Sequence, residues 1–398
     1  MKLLVTIVLF LLMAGPLLAI IVSNYSVATN SPISEGSGTW DIDWSFVYNY
    51  KTSSGVAVGS HWLLTAAHVA DDSFLSTLTI NGVPYYQREI IFHHPDDDPA
   101  HTNKADLALV RFDKEFPGYY PLYTGDFLES TLGRGGKLIS SPASCVMIGY
   151  GVTGAVYSTY YTMSASGKGT RRWGSNKIDG AVTVTQDVGG VTGVTYSEGR
   201  QILFTSTSTS YEAGVGTGDS GGGTFIKTNG VWKLAGINTL IYGNGTADQY
   251  AGNLTVSVPA YYAWATNVMN PTGDLDGDGI PNYWEQQYGT TTGLTVSADN
   301  DGDDFTNFEE YLADTNPTNP ASFFEMSGFV ASTVQTIYFT GSTTRQYQVF
   351  YTTNDLAATN VVWIAAHTNR VWGAGTNSAI TVTNAQEKAF YRLRVTQP

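Results

Sequence analysis

The chain has one cysteine, Cys145, in 398 residues. No intramolecular disulfide can form, so the core must hold by burial alone, and a chain of this length can bury enough to do so. Charge is also scarce, with Asp, Glu, Lys and Arg together at 14%. The formal net charge is −14, but the surplus is local. Residues 270–322 contain no Lys or Arg and hold Asp274, Asp276, Asp278, Glu285, Asp299, Asp301, Asp303, Asp304, Glu309, Glu310 and Asp314. The rest of the chain is close to neutral and lacks the basic surface that a phosphate backbone requires, which argues against nucleic acid as a partner. Long apolar runs are missing except over residues 3–22, which follow Met1-Lys2 and are broken by Gly15-Pro16. A basic start, a short apolar stretch and then Leu17-Leu18-Ala19 read as a signal peptide over residues 1–19, cut after Ala19. An uncleaved anchor is the competing reading, since the run nearly spans a bilayer; Pro16 and the small Ala19 favour cleavage. The expectation is a secreted protein, extracellular or periplasmic, without stable membrane insertion after the cut.

Glycine (43) and tyrosine (25) are plentiful, a mix that suits a β-rich secreted chain better than a helical one. Short apolar, β-branched and aromatic runs over 46–50, 56–59, 62–65, 78–80, 89–92, 107–112 and 146–150 are punctuated by Gly, Asn, Pro and Asp. That spacing predicts barrels or sandwiches, not parallel α/β. Residues 151–213 are rich in Gly, Ser and Thr and are expected to be mostly loops, with strand pieces at 178–185 and 201–205. Asn229-Gly230 predicts a hairpin between 224–227 and 231–239, and 259–269 has helical spacing.

The densest glycine cluster is Gly216-Thr217-Gly218-Asp219-Ser220-Gly221-Gly222-Gly223. A fold accepts the entropy of so many glycines where the chain turns sharply or meets a ligand closely. A Ser at such a bend can act as a nucleophile, with neighbouring amides aimed at a developing oxyanion. Two upstream segments give this weight: Trp62-Leu63-Leu64-Thr65-Ala66-Ala67-His68, and Ala105-Asp106-Leu107-Ala108-Leu109-Val110. Singly, His68, Asp106 and Ser220 each have a structural reading, as a core His, a turn cap and a turn Ser.

With TAAH, DLALV and GDSGG present in that order, residues 20–268 resemble the trypsin/chymotrypsin family of serine peptidases. The resemblance implies two β-barrels and a His68, Asp106, Ser220 triad, with the amides of Gly218 and Ser220 as the oxyanion hole and a peptide or protein as substrate. It implies that a freed amine at Ile20, or one residue on, pairs with Asp219; equally, 20–22 could be only the tail of the signal. Family members usually carry two glycines after Ile-Val, and Ser23-Asn24 stand here. The disulfide that often staples the His loop is missing, with Val69 and Ser53 in its place. The resemblance puts Gly214 at the base of the primary pocket and Thr239 and Ile241 on the strand that pairs with substrate. With no carboxylate at 214 and a bulky Ile241, small or medium apolar P1 residues are expected. His61, His367 and the run His93-His94, Asp96-Asp97-Asp98, His101 have no metal spacing and read as surface residues.

Beyond a linker at 271–273, Asp274, Asp276, Asp278, Ile280, Asn282 and Glu285 occupy positions 1, 3, 5, 7, 9 and 12 of a calcium loop, with Gly279 at 6. A second copy has Asp299, Asp301, Asp303, Phe305, Asn307 and Glu310, with Asp304 at position 6, a residue that tolerates the left-handed conformation. Short helices are expected at 284–288 and 307–312. The pair resembles thrombospondin type 3 or dockerin-type loops, implying structural Ca2+ and no cofactor for catalysis; a solvated acidic linker is the alternative. From 323 on, alternation at 336–340, 345–352, 361–366, 379–383 and 389–395 predicts a small β-sandwich. Its aromatics would suit contact with carbohydrate or a surface, but ordinary strand residues explain them as well.

The expected architecture is therefore mainly β: a signal peptide (1–19), a two-barrel peptidase domain (20–269), a calcium-loop segment (270–322) and an accessory β domain (323–398). The expected function is a secreted serine endopeptidase. A non-catalytic binding or adhesion protein on the same fold, and an esterase using the same triad, are the alternatives.

Overall fold

Strands are the commonest regular element of this chain: the computed structural model is 45% strand and 10% helix. It describes the chain from Ile20 to Thr396 except residues 24–27, 30–33, 36–37, 72–75, 96–97, 99, 126, 133–137, 188–192, 206–207, 270–277, 289–293, 331–333, 358–359, 367–369 and 383–388. The expected signal peptide, Asn24, Asp96, Asp97, His367, Asp274 and Asp276 lie outside the described residues. Two barrel-like sheets, of nine and six strands, agree with the two-barrel expectation. Contacts divide the chain into one unit of Met1–Ser60, Leu64–Asp72 and Phe116–Pro259, and another of His61–Leu63, Ser73–Glu115 and Ala260–Pro398.

The first unit contains the nine-stranded antiparallel sheet. Its order is Gly154–Val156, Tyr161–Met163, Tyr250–Ser257, Val231–Gly243, Gly223–Thr228, Ser144–Gly149 and Arg172–Lys177. Ala181–Asp187 and Val194–Leu203 form a long hairpin joined to Tyr250–Ser257. Residues 154–203 thus carry five strands where mostly loops were expected. Along Val194–Leu203 the inward positions include Thr195, Ser197 and Gly199, so the strand buries small polar residues and shows no apolar period of two. The core of this sheet gathers Ile20, Val22, Cys145, Met147, Ile178, Ile202 and Val215. Cys145 is free and buried. The hairpin turn at Asn229-Gly230 has φ of +51° and +78°, the left-handed pair that the dipeptide favours. Val47–Tyr50 and Ser53–Ala57 make a second, smaller hairpin in this unit.

In the second unit Val83–Phe92 pairs with both Thr77–Ile80 and Ala108–Phe112. A one-turn 3-10 segment, Val258–Tyr261, leads into the helix Tyr262–Met269, at the place the sequence predicted. The acidic segment has its own small core of Ile280, Trp284, Leu294 and Tyr311, and short helices at Asn282–Gln287 and Asn307–Ala313. Thr306 caps the second helix in a reciprocal pair with Glu309, which fixes its start. Beyond it, a three-stranded sheet (Met326–Val330, Gln335–Gly341, Gly375–Val382) and a four-stranded sheet centred on Gln346–Thr352 share a core of Ile337, Phe339, Tyr347, Val349, Ile380 and Val382. This is the expected small sandwich. Arg345 ties it to the acidic segment by donating to the carbonyls of Tyr311 (2.8 Å) and Leu312 (3.0 Å). Among the described residues, no helix is long and apolar enough to cross a membrane.

Candidate active site

The Ser220 bend is shaped by two glycines in conformations that other residues rarely adopt. Gly218 has φ +95° and Gly221 has φ +80°. A Cβ on Gly221 would lie 2.1 Å from both the Ser54 carbonyl oxygen and Thr65 Oγ1, so the bend sits directly on the neighbouring strands. Ser54 holds it there: its N–H donates to the Ser220 carbonyl (3.0 Å) and its hydroxyl to the Gly218 carbonyl (3.1 Å). Thr65 in turn donates to the Ser54 carbonyl at 2.8 Å. Three residues after Thr65 comes His68, half-buried on the single helical turn Ala67–Ala70 that follows the strand Trp62–Thr65. The segments carrying His68 and Ser220 are therefore packed together through Thr65, Ser54 and Gly221.

The backbone amides divide into two groups. Those of Asp219, Gly221 and Gly222 donate to the carbonyls of Gly216, Asn238 and Asp219. Among the described residues, the amides of Gly218 and Ser220 donate to no protein acceptor, which leaves this pair for an anionic oxygen. Ser220 Oγ is half-buried and donates at 3.4 Å to the Thr239 carbonyl. Thr239 stands in a β-bulge of Val231–Gly243, between Asn238 and Leu240, and bulges of this kind re-aim a strand beside a site.

Asp219 is fully buried beneath the bend. Its carboxylate accepts from the amides of Gly151 (2.7 Å) and Gly216 (2.8 Å), and from the backbone of Ile20. Burial pushes its carboxyl up to about 6, against these amides and the Arg172 guanidinium, which hold it down. Ile20 and Asp219 are thus brought together, and Ile21–Val22 pairs with Ala213–Gly214. Ile20 has φ +46°, an outlier for a β-branched residue.

Gly214 is buried, and a Cβ there would lie 2.2 Å from the ring of Tyr161. Tyr161 is completely buried, with its hydroxyl donating to the carbonyls of Val215 (2.9 Å) and Gly252 (3.2 Å). Ile241 is half-buried against the main core. A cleft of about 300 Å³ beside Thr217 is lined by Val152, Met163, Ser164, Ala165, Thr217, Asp248 and Tyr250. Apart from Thr217, which lies in the glycine cluster, sequence reasoning missed these residues and Tyr161, since they come from the region expected to be loops and from the distant stretch at Asp248 and Tyr250.

Asp106, in the second unit, is completely buried two residues before the strand Ala108–Phe112. The serine bend, the two amides beside it and the buried carboxylate of Asp219 beneath it lie together in the first unit. The Trypsin family model matches residues 29–265, more than half of the chain.

The chain belongs to the trypsin family.

It is also similar to two solved structures. One is the active form of the Rv3671c protease from M. tuberculosis, at 17% identity over 54% of this chain and 72% of that one, with a TM-score of 0.35. The other is the passenger domain of Plasmid encoded toxin, an autotransporter enterotoxin from enteroaggregative Escherichia coli, at 14% identity over 58% of this chain and 23% of that one, with a TM-score of 0.37. No curated protein matches the chain.

In the acidic segment, Asp299 Oδ1 and Oδ2 accept from the amides of Gly302 (2.7 Å), Asp303 (3.3 Å) and Asp304 (2.9 Å). Asp304 adopts φ +73°, the left-handed geometry foreseen for position 6, and Gly279 has φ +97° at the matching position of the first loop. Carboxylate oxygens of Asp299, Asp301 and Asp303 lie within 4.8 Å of one another. Asn307 and Glu310 are buried, and Asp303 Oδ2, Asn307 Oδ1 and Glu310 Oε2 receive no hydrogen bond. Burial and the neighbouring Asp301, Asp303 and Asp299 push the Glu310 carboxyl up to about 7. In the first loop Asp278 Oδ1 accepts from Ile280 N at 2.8 Å, Ile280 is buried in the small core, Asn282 opens the helix, and buried Glu285 accepts from Leu294 N at 3.4 Å.

The expected surface reading of the histidine run does not hold. His93 is completely buried and Asp98 nearly so. Ring contacts to Tyr261 and Trp264 of the C-terminal helical segment cover His93.

Proposed function

We propose that the protein is a secreted serine endopeptidase. The observation that carries this reading is the Ser220 bend, with Gly218 and Gly221 in glycine-only conformations, two unused amides and a supporting buried carboxylate, in a chain of the trypsin family. Ser220 Oγ attacks the scissile carbonyl; His68 takes its proton and returns it to the leaving amine; Asp106 fixes the His68 tautomer and stabilises the imidazolium. The amides of Gly218 and Ser220 take the oxyanion.

Activation follows removal of residues 1–19. The φ of Ile20 exists only while a residue precedes it, so a cut before Ile20 removes a strain of about 1–3 kcal/mol. It also turns an amide donor to Asp219 into an ammonium, the partner a buried carboxylate needs. Small or medium apolar P1 residues are preferred. The Tyr161 ring against Gly214, and Val152, Met163, Ala165 and Tyr250 along the cleft beside Thr217, support that preference.

The 299–310 loop fits Ca2+ as a structural ion. Its oxygens that receive no hydrogen bond, on Asp301, Asp303, Asn307 and Glu310, are hard ligands at spacings a twelve-residue loop uses. Asp299, Asp301, Asp303, the Phe305 carbonyl, Asn307 and Glu310 would hold it, with Asp274, Asp276, Asp278, the Ile280 carbonyl, Asn282 and Glu285 as the equivalent set in the first loop. The ion would supply charge neutralisation and rigidity, and take no part in catalysis.

The test is fluorophosphonate labelling of the secreted protein, with intact mass and N-terminal sequencing. Labelling on a chain starting at Ile20 or Ile21 that vanishes in Ser220→Ala, with Ser220→Ala lowering turnover by on the order of 10⁴ or more, is expected. No labelling on that chain would favour a non-catalytic binding protein; turnover of esters but not peptides would make it an esterase. Efficient cleavage after Arg or Lys would overturn the P1 preference alone.

A further inference from the structure

His93 lies one residue beyond the strand Val83–Phe92, opposite the segment that carries Asp106. Its backbone N–H donates to the Leu107 carbonyl at 3.0 Å. Its side chain reaches the other side of the same turn, where Nδ1 accepts from the backbone N–H of Ala105 at 3.0 Å. One residue thus grips the chain immediately before and immediately after Asp106.

The Ala105 bond settles the tautomer. An Nδ1 that accepts a hydrogen bond carries no proton, so the proton of the neutral ring is on Nε2. Nε2 faces Asp98 Oδ2 at 3.5 Å, and the same oxygen accepts from His101 Nδ1 at 2.9 Å. Asp98 Oδ1 accepts from the Ala100 amide at 3.3 Å. His101 stacks on Tyr261, with ring centroids 4.3 Å apart, and Tyr261 and Trp264 close over His93 at 4.8 and 5.3 Å. The three polar side chains lie close enough to surround a metal ion, but a metal on Nε2 would require both ring nitrogens to offer lone pairs, since Nδ1 is already committed to Ala105. The geometry is that of a clamp, not a metal site. Burial agrees with it, holding His93 down to about 4, with Asp98 opposing and His101 and His94 adding to the effect.

We propose that His93 is a positioning residue for Asp106, gripping residues 105 and 107 through Nδ1 and its own N–H, with Asp98 and His101 fixing the ring. This rests on the reading of Asp106 as the carboxylate partner of His68. A displaced carboxylate orients and stabilises the imidazolium less well, and a misplacement of about 1 Å can cost on the order of 10²-fold in rate.

The test compares His93→Leu, His93→Asn and Asp106→Asn in the full chain, reading kcat, KM, the pH profile of kcat/KM and thermal stability. His93→Leu is expected to lower kcat by about 10–100-fold with KM within about twofold, and to move the acid limb of kcat/KM to lower pH, because a poorly placed carboxylate favours the imidazolium less. His93→Asn, whose Oδ1 can still accept from Ala105, should recover a large part of both. If His93→Leu does not fold, His93→Asn is compared with His93→Gln, which faces Asp98 but not Ala105; several-fold higher kcat in the Asn variant is expected, and equal values overturn the proposal. A loss of stability in His93→Leu with kcat and the acid limb unchanged, while Asp106→Asn is inactive, also overturns it and leaves the role of Asp106 intact. Full activity in Asp106→Asn overturns both.

Discussion

Two loops of this protein fold around a buried carboxylate, and they satisfy it differently. Beneath Ser220, Asp219 receives amide donors from Gly151, Gly216 and Ile20, so the carboxylate organises its own backbone. In the acidic segment, Glu310 is also buried and its Oε1 accepts from Thr315 Oγ1 at 3.2 Å, but Oε2 receives no hydrogen bond and the carboxylates of Asp301, Asp303 and Asp299 oppose its charge. The first arrangement is complete in protein atoms apart from the charge that an amine at Ile20 would bring. The second leaves that carboxylate oxygen without a protein partner, the place where the proposed Ca2+ would supply one. A buried carboxylate is costly in either place; what differs is where its partner comes from.

The largest effect expected from breaking this comparison is at Asp219. Asp219→Asn leaves one acceptor oxygen for several amide donors and turns an NH₂ toward the rest. A buried donor left unsatisfied costs about 1–3 kcal/mol, and the bend that holds Ser220 and the Gly218 amide should shift with it. We expect kcat/KM for a peptide substrate to fall by on the order of 10². A variant within threefold of the parent would show that the glycines and Ser54 hold the bend without the carboxylate.

Calcium should have an intermediate effect, confined to the other loop. Extracellular modules of this type bind at roughly 10⁻⁴–10⁻³ M, so about 10 mM Ca2+ should stabilise the folded segment by about 1.4–2.7 kcal/mol. Hydrogen exchange with and without chelator should show residues 274–312 opening far more than residues 216–223. Glu310→Gln should remove most of that difference. Equal protection with and without chelator would leave the solvated-linker reading standing.

A last expected effect, read as a slope and not as a loss of activity, is a pH dependence that separates the two ends of the Ile20–Asp219 contact. In a chain not cut before Ile20, burial raises the Asp219 carboxyl from its ordinary 3.8 to about 6. The folded state then holds a proton that the unfolded state has lost, so this contribution is full below 3.8, declines as pH rises, and is exhausted above about 6. In a chain that starts at Ile20 the ammonium favours the ionised carboxylate, and the decline should flatten. Chemical unfolding of Ser220→Ala in both forms, followed from pH 4 to 7, measures it. Identical slopes would mean that the amine does not reach Asp219.

Much of the architecture was legible because local chemistry repeated itself. Asn229-Gly230 predicted its hairpin, since both residues tolerate the left-handed conformation that it adopts. The helix at Tyr262–Met269 and the alternating strands of the C-terminal sandwich were readable from their periods. Position 6 of the second acidic loop was readable as well, since Asp304 takes the positive φ its place requires. The strand pieces expected at 178–185 and 201–205 overlap the hairpin of Ala181–Asp187 and Val194–Leu203, but residues 194–200 were not readable, because their inward positions are Thr195, Ser197 and Gly199. The histidine run was misread for a related reason. Three histidines and three aspartates within nine residues look like a solvated loop, and only aromatic rings about 160 residues further on, at Tyr261 and Trp264, make His93 a buried residue.

By itself, then, the sequence determined a candidate nucleophile, two candidate partners, the glycines of the bend and the spacing of the carboxylates in the acidic loops, because each is a short local pattern. Tertiary structure alone decided that the Thr239 carbonyl meets Ser220, that Tyr161 fills the space against Gly214, that Ile20 reaches Asp219 and that His93 grips the turn at Asp106. These contacts join residues 12 to about 200 positions apart, and burial and hydrogen bonding at such separations depend on how strands register against one another, which no local pattern specifies.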